Sequence, residues 1–168
     1  MRKLLTLSTL LICLTLVSCD KNEKSCGFAD STKVATEAEI SALSDSLQKY
    51  GIHNALQHPS GLFYTIGNQG SGNFVANLCS TVSATYWGGF FNGQGFDSSL
   101  VNPIPFVLGQ VIVGWQKALP LVKEGGQINI YIPPSLGYGA SAKYGQNGQL
   151  LIPANSYLVF KVNVTKIQ

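Results

Sequence analysis

Val111-Ile112-Val113-Gly114-Trp115-Gln116-Lys117-Ala118-Leu119-Pro120 is the stretch on which the fold turns. After Gly114, residues 115–119 form the only helical-looking segment between 60 and 168, and Pro120 closes it. The sequence around it alternates instead. In 80–87, Val82, Ala84 and Tyr86 alternate with Ser83 and Thr85. In 127–132, Ile128, Ile130 and Ile132 share one face, and in 157–165 Leu158, Phe160, Val162 and Val164 do the same. A period of two marks strands with one buried face. A shorter strand is expected over 62–66, after the turn at His58-Pro59-Ser60-Gly61. Gly88-Gly89 is expected to end the strand that carries Tyr86, and Asn92-Gly93 marks a tight turn. One short helix among antiparallel strands predicts an α+β fold whose sheet packs its apolar face on that helix.

The chain ahead of this domain has three parts. Arg2-Lys3 followed by an apolar run over 4–17 has the form of a targeting signal, too short for a span of about 20 residues. The run ends in Leu16-Val17-Ser18-Cys19, which resembles the lipoprotein box of bacteria. The expectation is a signal peptide over 1–18, lipid (palmitate among the acyl chains) on Cys19, and a membrane-anchored protein on an extracytoplasmic face of the cell envelope. An ordinary cleaved signal is the alternative. Each buried CH₂ of an acyl chain contributes about 0.8 kcal/mol, so two or three chains anchor stably. Residues 19–35 are polar and mixed in charge and are expected as a tether. Residues 36–59 are expected as a helix and turn. Thr36-x-x-Glu39 matches a capping box, Ile40, Leu43 and Leu47 form one apolar stripe, and Gly51 stops the helix. The stripe is expected to dock on the domain at 60–168.

Composition removes several kinds of chemistry. Between 60 and 168 there is no histidine, two acids (Asp97 and Glu124) and one cysteine, Cys79. Most acid–base and nucleophilic mechanisms need a histidine, a carboxylate pair or an activated thiol. No metal or cofactor site is expected. Net charge is +3, or 9 − 8 = +1 once Arg2 and Lys3 are set aside, so nothing points to nucleic acid. Cys26 and Cys79 form an even pair in an oxidising compartment, and a disulfide between them is expected, two free thiols being the alternative. Glu124-Gly125-Gly126 reads as a plain turn, and Lys117, Lys123, Lys143, Lys161 and Lys166 as solvated surface.

Six short motifs then occur in order: Tyr86 closing a strand, Phe96-Asp97-Ser98-Ser99, Phe106-Val107-Leu108-Gly109, Val111 to Trp115, Leu136-Gly137-Tyr138-Gly139, and Ile152-Pro153 leading to Leu158-Val159-Phe160. Together they resemble the FK506-binding-protein family of peptidyl-prolyl cis–trans isomerases over residues 60–168. The resemblance implies a half-open antiparallel sheet wrapped around one short helix, here with the extra N-terminal helix. It implies a proline pocket with Trp115 as floor and Tyr86, Phe106 and Phe160 as walls. Phe96 would also face the pocket, and Val111 and Ile112 would line its entrance, the Ile112 N–H being free to bind a substrate carbonyl. Tyr138 would donate its hydroxyl, Asp97 would sit at the pocket edge, and Ile152 would belong to a loop overhanging the site. Asp97 has a structural reading beside this one, as a carboxylate held by Tyr86 or by a backbone N–H.

The implied partners are proline-containing polypeptides, and a monomer is expected. The chain departs from the family in Phe90-Phe91 after Tyr86 and in the composition of the loop at 140–150, both of which bear on substrate preference. Two rivals differ in kind: a non-catalytic binding or chaperone module of the same fold, which Phe90 or Phe91 filling the pocket would favour, and a lipoprotein that holds a small apolar ligand.

Overall fold

The computed structural model describes residues 26–168, so the signal segment and Cys19 lie outside the described residues. In chain order the elements are α1 (Glu37–Lys49), β1 (Leu56–Gln57), β2 (Phe63–Asn68), β3 (Thr81–Gly89), β4 (Gly95–Val107), α2 (Val113–Ala118), β5 (Gln127–Ile132), β6 (Lys143–Tyr144), β7 (Leu150–Ile152) and β8 (Leu158–Ile167). Six strands form one antiparallel sheet in the order β1-β2-β5-β8-β3-β4, and β6 and β7 make a separate hairpin.

Alternation along the strands builds the main core. Val82 and Ala84 on β3, Ile128, Ile130 and Ile132 on β5, and Leu158, Phe160, Val162 and Val164 on β8 are all buried with Trp115 and Ala118 of α2. Each such aliphatic side chain contributes about 1.5–3 kcal/mol when fully withdrawn from water. Gly114 lets α2 lie against β5, since a Cβ there would stand 2.6 Å from Ile132. The helix runs Val113–Ala118 and continues as a 3₁₀ turn over Leu119–Leu121 that accommodates Pro120, so it starts two residues earlier than the sequence suggests.

Gly88-Gly89 does not end β3 as expected. The strand continues through both, pairing Gly88 with Phe160 on β8 and with Asp97 on β4. The reason is space: a Cβ on Gly88 would stand 2.6 Å from the Phe160 ring and 3.0 Å from the Phe96 ring. The glycine lets two aromatic rings lie across the strand.

Among the described residues, the other face of the sheet is covered at one end only. Phe63, Tyr131 and Val159 are direct neighbours across β2, β5 and β8. They are buried on the side opposite to α2, under Leu43 and Leu47 of α1. The expected stripe therefore docks on the sheet. The Thr36–Glu39 capping box is formed, and Glu39 also accepts from Ser135 N at 2.9 Å, tying the first turn of α1 to the domain.

Two surface expectations are corrected. The Lys117 ammonium meets Asp30 at 2.8 Å and is largely covered. Lys143 and Lys161 are exposed, as expected, with their ammonium groups over the rings of Tyr138 and Trp87 at 5.1 and 5.6 Å. Glu124 is more than a turn residue: its Oε2 accepts from Ile167 N at 3.0 Å and its carbonyl accepts from Ser71 and Gly72, which fixes the end of β8. Among the described residues no helix is long and apolar enough to cross a membrane. Cys26 and Cys79 are joined by a disulfide, with Cα atoms 5.6 Å apart.

Candidate active site

Trp115 sits at the third position of α2, buried to 6% exposure, with three rings set edge-on around its indole. Tyr86 from β3, Phe106 from the end of β4 and Phe160 from β8 stand 5.3, 5.2 and 5.2 Å from it, at interplanar angles of 86°, 68° and 90°. Edge-to-face contacts of this kind contribute about 0.5–1.5 kcal/mol each beyond area burial, so the box is rigid. Above it opens a cleft of about 400 Å³ lined by all four rings and by Asp97, Val111, Ile112 and Tyr138.

The structure thus brings eight of the ten expected residues to one cavity. The other two do not line it. Phe96 packs edge-on against Phe160 at 5.6 Å and tilted at 59° against Phe90 at 5.3 Å, buttressing the wall. Ile152 is 5% exposed within the main core, where the β6–β7 hairpin meets the domain. Phe90 and Phe91 leave the cleft open. Phe91 stacks on Tyr50 and Tyr131 at 5.5 and 5.9 Å, on the side where α1 docks.

Three lining residues escaped the sequence reading: Ile104, Pro105 and Gln110. The register between β3 and β4 shifts between Ala84, opposite Ile104, and Tyr86, opposite Ser99. The intervening residues of β4 bulge outward and re-aim Ile104 and Pro105 toward the cavity.

Few polar groups reach the cleft. The Tyr86 hydroxyl donates to Asp97 Oδ2 at 2.7 Å. Burial raises the Tyr86 phenol well above its ordinary range, and the Asp97 hydrogen bond and charge raise it further. Burial also raises Tyr138, with Asp97 adding to it. Among the described residues the Tyr138 hydroxyl and the Ile112 N–H make no hydrogen bond. Ile112 is the N-cap of α2, and its carbonyl accepts from Trp115 N at 3.0 Å. The cleft therefore offers the free donors of Tyr138 and Ile112, one carboxylate and an aromatic floor. No cluster of metal-ligating side chains occurs among the described residues. A groove of about 310 Å³ on the outer face of the sheet is lined by Thr85, Asn129, Asn163 and Lys161 and has no comparable box of rings.

Comparison with known proteins agrees with this geometry. Residues 75–165 match the model of the FKBP-type peptidyl-prolyl cis-trans isomerase family. FKBP-type peptidyl-prolyl cis-trans isomerase FkpA of Buchnera aphidicola is 40% identical over 111 residues, covering 65% of this chain and 42% of its own. A probable FKBP-type isomerase of Haemophilus influenzae is 43% identical over 110 residues, covering 64% and 43%. The chain thus spans less than half the length of these relatives. Among solved structures, FkpA from Escherichia coli superposes with a TM-score of 0.66 at 30% identity, over 78% of this chain and 60% of that one. AtFKBP13 superposes with a TM-score of 0.61 at 30% identity, over 68% and 99%. A box of rings on a short helix inside an antiparallel sheet, and a family match over more than half of the sequence, agree on one assignment: the chain belongs to the FKBP-type peptidyl-prolyl cis-trans isomerase family.

Proposed function

We propose that this protein catalyses cis–trans isomerisation of X–Pro bonds in polypeptides. The observation that carries the reading is the open cleft over Trp115, walled by Tyr86, Phe106 and Phe160 and edged by Asp97. Rotation about an X–Pro bond breaks no covalent bond, so it needs neither nucleophile nor proton shuttle. Its barrier of about 18–20 kcal/mol comes from amide resonance. Resonance places charge on the carbonyl oxygen and nitrogen, and the twisted state has less of it. An apolar box that receives the proline ring therefore disfavours the planar state relative to the twisted one. The Ile112 N–H and Tyr138 hydroxyl bind flanking carbonyls, and Asp97 acts at the edge near the turning bond, so binding favours the twisted geometry. A barrier lower by about 4–7 kcal/mol gives about 10³–10⁵-fold acceleration.

The substrates in this reading are proline-containing chains folding in the bacterial cell envelope. The protein acts as a monomer, held to a membrane on its extracytoplasmic side by lipid on Cys19, with no cofactor. The Cys26–Cys79 disulfide supports an oxidising compartment. The test is cis–trans exchange of a short X–Pro peptide with and without the purified full chain. Acceleration is expected, and exchange at the uncatalysed rate would end the reading.

A further inference from the structure

Residues 26–35 precede the stretch that matches the family, yet they are fastened to the domain beside the loop that leads into the cleft. Cys26 is bridged to Cys79. Asp30 is paired with Lys117 of α2 at 2.8 Å, and Ala35 N donates to Ser60 O at 2.8 Å. Between the first two anchors, the Phe28 ring lies directly on Gly109, where any Cβ would strike it. Gly109 has no positive φ, so its backbone does not call for glycine; the ring does.

Gly109 belongs to the 3₁₀ turn Leu108–Gln110, which leads straight into the entrance residues Val111 and Ile112. From one side this loop is held by the strand end beside the disulfide. Gly109 N donates to Leu78 O at 2.8 Å and Leu108 N to Ser80 O at 3.0 Å. From the helix side, Gln116 Nε2 donates to the carbonyls of Gly109 and Val111, at 3.2 and 2.8 Å. Phe28 is the remaining jaw.

We propose that Phe28, fixed by the Cys26–Cys79 disulfide and the Asp30–Lys117 pair, is a positioning residue that clamps residues 108–112, so that Val111 and the Ile112 N–H meet the substrate already in place. This rests on the isomerase reading above. An ordered entrance loop has less conformational freedom to lose when substrate binds. The clamp acts on binding, while the aromatic box that receives the proline is built from other elements. Its signature is a change in KM with little change in kcat.

The experiment uses the full chain as wild type, Phe28→Ala, Phe28→Leu and Cys26→Ser. Two readouts are taken: steady-state isomerisation of an X–Pro peptide, and amide hydrogen exchange at Gly109 with Ile130 of β5 as the internal control. In Phe28→Ala, Gly109 exchange rises, Ile130 exchange does not, and KM rises about three- to tenfold with kcat within about twofold, the size expected from ordering one short loop. Phe28→Leu recovers most of the loss, and Cys26→Ser moves KM in the same direction. Unchanged Gly109 exchange in Phe28→Ala would overturn the proposal, as would a fall in kcat at constant KM or an equal rise at Ile130. Should the wild type fail to isomerise the peptide, the isomerase reading falls by itself. Gly109 exchange in Phe28→Ala then still decides for or against the clamp.

Discussion

The Tyr86 hydroxyl and the Asp97 carboxylate are joined by a 2.7 Å hydrogen bond across β3 and β4. Asp97 pairs with Gly88, two residues beyond Tyr86, so the two side chains are diagonal neighbours on one face of the sheet. The bond spends the Tyr86 donor on holding the carboxylate at the rim of the cleft. Asp97→Ala is expected to lower kcat/KM for an X–Pro peptide by about tenfold or more, in the range lost with one preorganised electrostatic group. Tyr86→Phe should cost less, and the double variant no more than Asp97→Ala alone, because the two act as a unit. Additive losses would show that the two act independently, and full activity in Asp97→Ala would separate Asp97 from the chemistry.

The same cleft predicts a flat pH profile on the alkaline side. Burial, and then Asp97, hold the phenols of Tyr86 and Tyr138 above their ordinary value of 10.0, so both stay protonated as donors throughout the neutral range. No histidine lies between 60 and 168. The catalysed rate constant should be constant from about pH 6 to 9. An inflection in that window, after correction for the uncatalysed rate, would mean that a group outside this set takes part.

The disulfide should dominate the stability of the N-terminal half. Cys26 and Cys79 are 53 residues apart and enclose α1, β1 and β2. Closing a loop of that length restricts the unfolded chain by an amount equivalent to about 4 kcal/mol in the chain-entropy model. Cys26→Ser is expected to lose about 2–4 kcal/mol in denaturant unfolding under oxidising conditions, and the wild type to lose the same when reduced. Equal midpoints for oxidised wild type and the variant would refute this.

Much of this architecture was legible because it is local. The alternation over 127–132 and the Thr36–Glu39 capping box each depend on residues within one element, and both appear where the periodicity places them. The failures share the opposite cause. Gly88 looked like a strand breaker because the Phe160 ring that requires it lies on β8, far along the sequence. Lys117 looked solvated because its partner, Asp30, is 87 residues away. In the cleft, residues carried by strands and helix were legible through ordered motifs. Ile104 and Pro105 were not, since a register shift between paired strands leaves no mark on composition. Phe96 and Ile152 show the converse: both match the family pattern, but neither lines the cleft.

Gly88 also supplies a sharp test of the aromatic wall. A methyl group there would stand 2.6 Å from Phe160 and 3.0 Å from Phe96, well inside contact distance. Overpacking of this kind costs about 1–3 kcal/mol, and the rings must tilt to relieve it. Gly88→Ala should therefore lower stability by about that amount and also reduce isomerase activity, since Phe160 faces Trp115 at 5.2 Å across the box. Loss of stability with unaltered activity would show that the Phe160 wall does not shape the reactive site.

Glu39 gives the docking of α1 a defined pH response. Burial acts to raise its pKa, but the donors from the Thr36 and Ser135 backbone and hydroxyl groups outweigh this and hold it below the ordinary 4.5. A carboxyl group with a depressed native pKa binds protons more readily in the unfolded chain. Its contribution is thus complete above the unfolded value and disappears as pH falls through the lower native value. Glu39→Ala should cost about 1 kcal/mol at neutral pH, the size of a lost capping contact. The gap between variant and wild type should stay constant down to about pH 5.5 and then close below 4.5, as protonation removes the same interaction from the wild type. Urea unfolding of both proteins across that range checks it; a gap that widens toward acid would mean that Glu39 is held protonated against Ser135 and that α1 docks without the charge.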